Sequence, residues 1–297
     1  MSTIRELVDW GSRMLDESGV FYGHGTDNAY DEALSLVLYA LELDYSISEQ
    51  ELERTLSVEQ QSRVKAVLHQ RIETRRPAPY ITGRIWFAGI ELEIDESALI
   101  PRSPIAELIE NRFEPWANLS AGGAAPPAIL DLCTGSGCIA IACALHLPDV
   151  QVVGSDISRP ALALARRNLE RYALQQRLRL VESDLFERLG GQRFDLIVSN
   201  PPYVSAQEMA QLPAEYRHEP RMALEAAEQG LALVSRILQQ AADYLTEQGV
   251  LVVEVGNSGQ ALVARYPQVP FTWIEFANGG EGVFTLDRQQ LLALRGG

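Results

Sequence analysis

Lysine is almost missing from this sequence: Lys65 is the only one among 297 residues, and Arg75-Arg76 is the longest basic run in the first 110. A chain that grips nucleic acid needs a basic face to neutralise phosphates. Here 25 basic side chains stand against 40 acidic ones, for a net charge of −15. Residues 1–110 hold 10 basic and 20 acidic side chains, so the excess is concentrated there. Such a surface repels naked nucleic acid and attracts basic partners. Cysteine is scarce too. Cys133, Cys138 and Cys143 lie five residues apart without a Cys-x-x-Cys pair. That spacing excludes a zinc site, and an odd number fits no disulfide framework, so small buried thiols in a reducing cytoplasm are expected and no metal. Also absent is an apolar run of roughly 18 residues, the length needed to cross a bilayer. The start, MSTIRELVDWGSRMLDE, is charged throughout, which argues against a signal peptide. A cytoplasmic protein without membrane contact is the expectation.

What is present is a folded composition, 46% apolar and 22% charged. Residues 3–76 read as helical. Leu7, Val8, Trp10, Met14 and Leu15 recur at helical spacing, as do Ala33, Leu34, Val37, Leu38 and Leu41, and then Val64, Val67, Leu68 and Ile72. Pro77 and Pro79 should end the last of these helices. The alternation in ELEID predicts a strand with one wet face, paired through Gly89 with the ITGRIWF run. SPIAELIENRF predicts a helix capped by Ser103, and the small residues of 118–128 suggest a linker. From residue 128 short apolar runs alternate with helical patterns, and Asn278-Gly279-Gly280 marks a final hairpin. Repeated strand–helix units imply a mostly parallel sheet covered on both faces. The expected division is a helical unit over 1–78, a β-hairpin and helix over 79–127, and an α/β unit over 128–297.

Three features of the α/β unit point to chemistry. The turn DLCTGSGC follows the first strand and opens a helix; Gly135 and Gly137 allow a tight turn and close approach of a ligand to the backbone. Such a turn serves dinucleotides and adenosylmethionine alike. Asp131 just before it suits a cationic amino group better than a pyrophosphate. Asp156 ends the second strand, where an acid can accept from both ribose hydroxyls, and Asp184 ends the third. The fourth strand, FDLIVS, runs into Asn200-Pro201-Pro202-Tyr203. Proline lacks the ladder N–H and fixes its own φ, so the chain leaves the sheet and stiffens there. A rigid amide beside an aromatic ring suits a planar, amide-like group.

These residues, DLCTGSG, Asp156, SDLF and NPPYV, resemble the class I adenosylmethionine-dependent methyltransferases, and within them enzymes that methylate a planar nitrogen. The resemblance implies a Rossmann-like domain, a seven-stranded mostly parallel sheet with a C-terminal antiparallel hairpin. It implies S-adenosyl-L-methionine as cofactor, held by Asp131, Cys133, Thr134, Gly135, Ser136, Gly137, Asp156, Ile157, Asp184, Leu185 and Asn200. Catalysis would fall to Asn200, Pro201, Pro202 and Tyr203, with Phe87 and Tyr203 walling the substrate pocket. Two branches share the Asn-Pro-Pro-Tyr signature, nucleic-acid adenine amino-methyltransferases and protein N(5)-glutamine methyltransferases. PAPYITGRIWFAG and LIPRSPIAELIE resemble the glutamine branch; FYGHGTDNAYDEA and EYRHEP resemble its subgroup acting on the basic large-subunit ribosomal protein L-three, free or in a ribosome assembly intermediate. Pro101-Arg102-Ser103-Pro104-Ile105-Ala106 departs from the Pro-Arg-Pro-x-Thr-Glu of the release-factor enzymes. Near Ala227 and Gln229 the family more often has Gly and Asp. His24 is expected either to touch the substrate or to fix a loop through Asp27, His218 divides the same way between substrate and loop, and Arg102 is expected to order the domain junction. A non-catalytic protein on this fold would have lost Asp131, Asp156 or Asn200, and all three are intact.

Overall fold

The computed structural model describes residues 2–120 and 125–296. Three helices, Ile4–Ser18, Ala29–Ala40 and Val58–Thr74, pack their apolar stripes into one core in which Leu7, Val8, Leu36, Val37, Val64 and Leu68 are buried. Local signals set their starts. Thr3 with Glu6, and Ser57 with Gln60, form reciprocal capping boxes that satisfy otherwise unpaired N–H groups. Gly11 lets the first helix approach the third; a Cβ there would sit 2.8 Å from Leu68. The core of this unit is continuous as far as Ile81. Pro77 does end the long helix, but Pro79 then sits in the first turn of a short one, Ala78–Thr82, where its missing N–H costs nothing.

Strands β1 (Arg84–Phe87) and β2 (Ile90–Glu93) form the antiparallel hairpin. The following helix is shorter than the sequence pattern suggests, Ile105–Glu110, because Arg112 and Phe113 turn left-handed after it. Pro104, not Ser103, occupies its cap position; the Ser103 hydroxyl accepts from Ile105 N–H at 3.1 Å and donates across the fold to Glu254. Of the expected linker, residues 121–124 lie outside the described residues.

The main sheet holds β3 (Ala128–Leu132), β4 (Gln151–Asp156), β5 (Leu178–Glu182), β6 (Phe194–Ser199), β7 (Leu245–Glu254), β8 (Thr272–Trp273) and β9 (Val283–Asp287), in the order β5-β4-β3-β6-β7-β9-β8. β3 to β7 are parallel, and β9 is antiparallel to both β7 and β8. The expected seven-stranded sheet with its terminal hairpin is therefore the observed one. Helices Cys138–His146 and Arg159–Arg171 cover one face, and Ala232–Gln240 the other, which is why the strands read as apolar runs. β3 is the pivot: the chain crosses from it first toward β4 and β5, later toward β6 and β7. In open α/β sheets ligands bind at such a switch point, outside the strands' carboxyl ends. The acid of β4 and the turn after β6 both emerge there. No helix among the described residues is long and apolar enough to cross a membrane.

Candidate active site

After β3 the backbone turns through three left-handed residues, Cys133 (φ 60°), Gly135 (φ 55°) and Gly137 (φ 82°). At Gly137 a Cβ would lie 3.1 Å from Ala165 and from Ile141, so a side chain there would press on the helix behind. The loop is tied from below and from the side. Thr134 N–H donates to the Ser155 carbonyl at 3.0 Å. Asp156 accepts from Gly135 N–H at 2.9 Å and from Ser158 N–H at 2.8 Å, one to each carboxylate oxygen. Burial pushes its carboxyl above the usual range, against the pull of those N–H groups.

Asp131 lies beneath the loop and is fully buried. One oxygen accepts from the Thr134 hydroxyl at 2.5 Å and from Ala140 N–H at 3.1 Å; the other, Oδ1, has no partner. Burial pushes this carboxyl up to about 7. A buried oxygen left unpaired is costly. The Ser136 hydroxyl is likewise buried and unpartnered.

A cleft of about 290 Å3 opens above this loop. Cys133, Thr134, Gly135, Ser136, Asp156, Ile157, Asp184, Leu185 and Asn200 all line it, whereas Gly137 and Asp131 do not. Asp184 is not simply a free strand-end acid: it pairs with Arg236 at 2.9 Å. A second cavity of about 320 Å3 lies beside the first and is lined by Asn200, Pro201, Tyr203, Glu208, Tyr216 and Glu254, among others. Leu99, Arg102, Asn200 and Ala223 belong to both. The rigid amide thus stands where the two cavities meet. Its neighbours are fastened, Ser199 by donating to the Leu132 carbonyl at 2.8 Å and Tyr203 by donating to Glu254 at 2.8 Å. Among the described residues no protein group hydrogen-bonds the Asn200 side chain itself.

Several expectations need correction. Phe87 is buried in the core with Ile85 and Leu92 and lines neither cavity; it faces inward because β1 alternates, leaving Trp86 outside. His24 does not meet Asp27 but lies 3.4 Å from Glu219, almost 200 residues away, both side chains buried. Of the thiols only Cys143 is buried; Cys133 and Cys138 are half-buried at the cleft loop. Arg102 does order the junction, through Glu219, and also reaches both cavities. His218 bonds to the Thr74 carbonyl at 3.0 Å. In the loop after Ala227, Glu228 and Gln229 adopt left-handed φ of 57° and 60° just before Gly230.

Not legible in sequence was that Leu99, Pro101, Arg102 and Ser103, with Pro220, Met222 and Ala223, roof the site, nor that Glu219 holds Arg102 there and Glu254 lines the second cavity. Glu254 left one signal: an acid inside the apolar strand LVVEV, where a charge needs a partner.

Residues 119–216 match the methyltransferase small domain. The ribosomal protein uL3 glutamine methyltransferase of Francisella tularensis is 46% identical over 292 residues, covering 98% of this chain and 92% of that protein. The chain belongs to this family of methyltransferases. The protein of the same description from Xanthomonas campestris pv. campestris is 45% identical, with 99% of this chain and 94% of that one covered. Among solved structures, a methyltransferase from Pyrococcus furiosus has 19% identity and a TM-score of 0.48, over 67% of this chain and 89% of that one. Family membership makes the chain a methyltransferase, and the two cavities meeting at Asn200 are the candidate place of transfer.

Proposed function

We propose that the protein transfers a methyl group from S-adenosyl-L-methionine to the side-chain amide nitrogen of a glutamine in ribosomal protein uL3. The observation that carries this reading is the shared position of Asn200 between a cofactor-sized cleft and a second cavity ending in the Asn-Pro-Pro-Tyr turn. The loop Cys133–Gly137, Asp156, Ile157, Asp184 and Leu185 would hold the cofactor, with the unpaired Asp131 oxygen beneath the loop left for its cationic amino group. When bound, the cofactor supplies an electrophilic methyl on a sulfonium.

A glutamine amide nitrogen is a weak nucleophile because its lone pair is delocalised into the carbonyl. The Asn200 side-chain oxygen and the Pro201 carbonyl would accept its two N–H groups and hold its remaining lobe toward the cleft. Positive charge grows on that nitrogen during transfer, so these acceptors bind the transition state more strongly than the ground state. Positioning of this kind can supply several kcal/mol, up to ~7–11 in favourable cases. The methylated amide then loses its proton to water. Pro202 stiffens the turn, and the Tyr203 ring walls the amide slot. We assign residues 1–78 to recognition of the protein substrate, 79–127 to the connection and 128–297 to catalysis. An acidic helical unit suits a basic ribosomal protein, free or in an assembly intermediate, and disfavours nucleic acid; a cytoplasmic location follows from the substrate.

The test is mass spectrometry after incubation with labelled adenosylmethionine, with unmethylated uL3, a release factor and DNA offered separately. One methyl on a uL3 glutamine, lost in Asn200→Ala, is expected. Label on the release factor or on adenine would sink the substrate assignment.

A further inference from the structure

The segment that follows the Asn-Pro-Pro-Tyr turn carries two buried carboxylates, Glu215 and Glu219, one turn apart. Each is held by groups from far earlier in the chain. Glu215 accepts from Phe21 N–H at 3.0 Å and lies 3.4 Å from Arg71, itself fully buried and paired with Glu32 at 2.8 Å. Glu219 accepts from Ile100 N–H at 3.0 Å, from Arg102 through two nitrogens at 2.7 and 2.8 Å, and faces His24 Nε2 at 3.4 Å. Tyr216 is caught between these partners, its ring 4.6 Å from the His24 ring and 5.3 Å from the Arg102 guanidinium.

The consequence is geometric. Arg102 lines both cavities, Tyr216 lines the amide slot, and Pro220, next to Glu219, lines the cofactor cleft. Apolar packing does little to hold this segment: between Val204 and Ala226 only Leu224 and Ala226 are buried apolar residues. Backbone bonds fix its ends at Val204 and Ala226, and between them the buried carboxylates are the anchors that reach the rest of the fold. A buried carboxylate keeps its place only where its partners are, which makes such pairs better at specifying one arrangement than at adding stability.

We propose that Glu219 is a positioning residue for methyl transfer. It fixes Arg102, Tyr216 and Pro220 and thereby makes the helical unit, through His24, part of the wall that sets the two cavities against each other at Asn200. The proposal rests on the functional reading above only for the reaction being timed.

The experiment compares wild type, Glu219→Leu and the double variant Arg102→Met/Glu219→Gln. Glu219→Leu strands the Arg102 charge and lowers Tm. The double variant leaves no unpaired charge and regains most of that Tm. With stability restored, kcat on uL3 is expected to stay roughly tenfold to a hundredfold below wild type, the scale of a small misplacement at the reacting centre. Backbone exchange is read in parallel and needs no substrate. The Val204 and Ala226 amides, which tie the segment to the turn at 2.8 and 2.9 Å, should exchange faster in the double variant. A double variant with kcat within about twofold of wild type would show that the cluster only supports folding and overturn the proposal. Unchanged exchange at those amides would overturn it equally, including in the case that uL3 itself is not methylated by the wild type.

Discussion

The Tyr203 hydroxyl donates to Glu254 Oε1 at 2.8 Å, joining the ring of the Asn-Pro-Pro-Tyr turn to the end of β7. The other oxygen of Glu254 accepts from Ser103 at 2.5 Å, so one buried carboxylate receives hydroxyls from the turn and from the roof. Burial raises its carboxyl, while the two hydroxyls pull it down. Glu254→Gln puts an NH2 where one hydroxyl needs an acceptor. We predict a loss of about 1–3 kcal/mol in stability, measured by urea unfolding, together with a lower kcat. An unchanged unfolding midpoint would show that the two hydroxyls find water instead.

The same ring is bounded by Gly256, where a Cβ would stand 2.6 Å from Tyr203 Cε2. Gly256 also has φ of 45°, unfavourable for a side chain. Gly256→Ala should therefore displace the ring and impair activity more than Tyr203→Phe, which keeps ring and position. Kinetics on the two variants, with CD to confirm folding, decides it; equal rates would mean the ring position is unimportant.

Asn200→Ala removes a polar group that no described residue requires, so the fold should stay within about 1 kcal/mol of wild-type stability. Its rate constant should drop by ~10²–10³, the scale seen when one preorganised polar contact to developing charge is lost. Calorimetry should find cofactor affinity changed far less than kcat. A comparable loss in both would place Asn200 chiefly in the cofactor cleft.

Asp131 makes a prediction about pH. Its carboxyl sits at about 7 in the folded chain, above the 3.8 of an ordinary aspartate. Between those values the folded state holds a proton that the unfolded state has lost. Stability of the cofactor-free protein should fall as pH rises through this window and level off beyond about 7. Asp131→Asn should flatten that slope, which denaturant titrations from pH 4.5 to 7.5 would register. If a cationic cofactor engages Oδ1, its binding at pH 6 releases a proton, and calorimetry in buffers of different ionisation enthalpy would detect it.

Much of this architecture is legible in local sequence. The helical stripes, the capping boxes, the alternation after residue 128 and the terminal hairpin are all set by neighbours within a few positions, and the cofactor loop and Asn-Pro-Pro-Tyr turn announce themselves by residues that ordinary turns do not need. What escaped reading was non-local. Phe87 against Trp86 is decided by which face of a two-stranded hairpin meets the core. His24 meets Glu219 only because the helical unit folds back over the site, and nothing near His24 in sequence encodes that. Asp27, the acid nearer in sequence, accepts from the neighbouring Asn28 amide instead.

The buried carboxylates Glu215 and Glu219 have a consequence for how such a protein can be rearranged. Each meets residues of the helical unit, Glu215 through Phe21 and Arg71 and Glu219 through His24. The helical unit is therefore not a portable module. A chimera carrying the helices of a distant relative would strand Glu215 and take His24 from Glu219 unless His24 and Arg71 came with it, or segment 214–220 were exchanged at the same time. In inheritance as in engineering, these two distant stretches must change together.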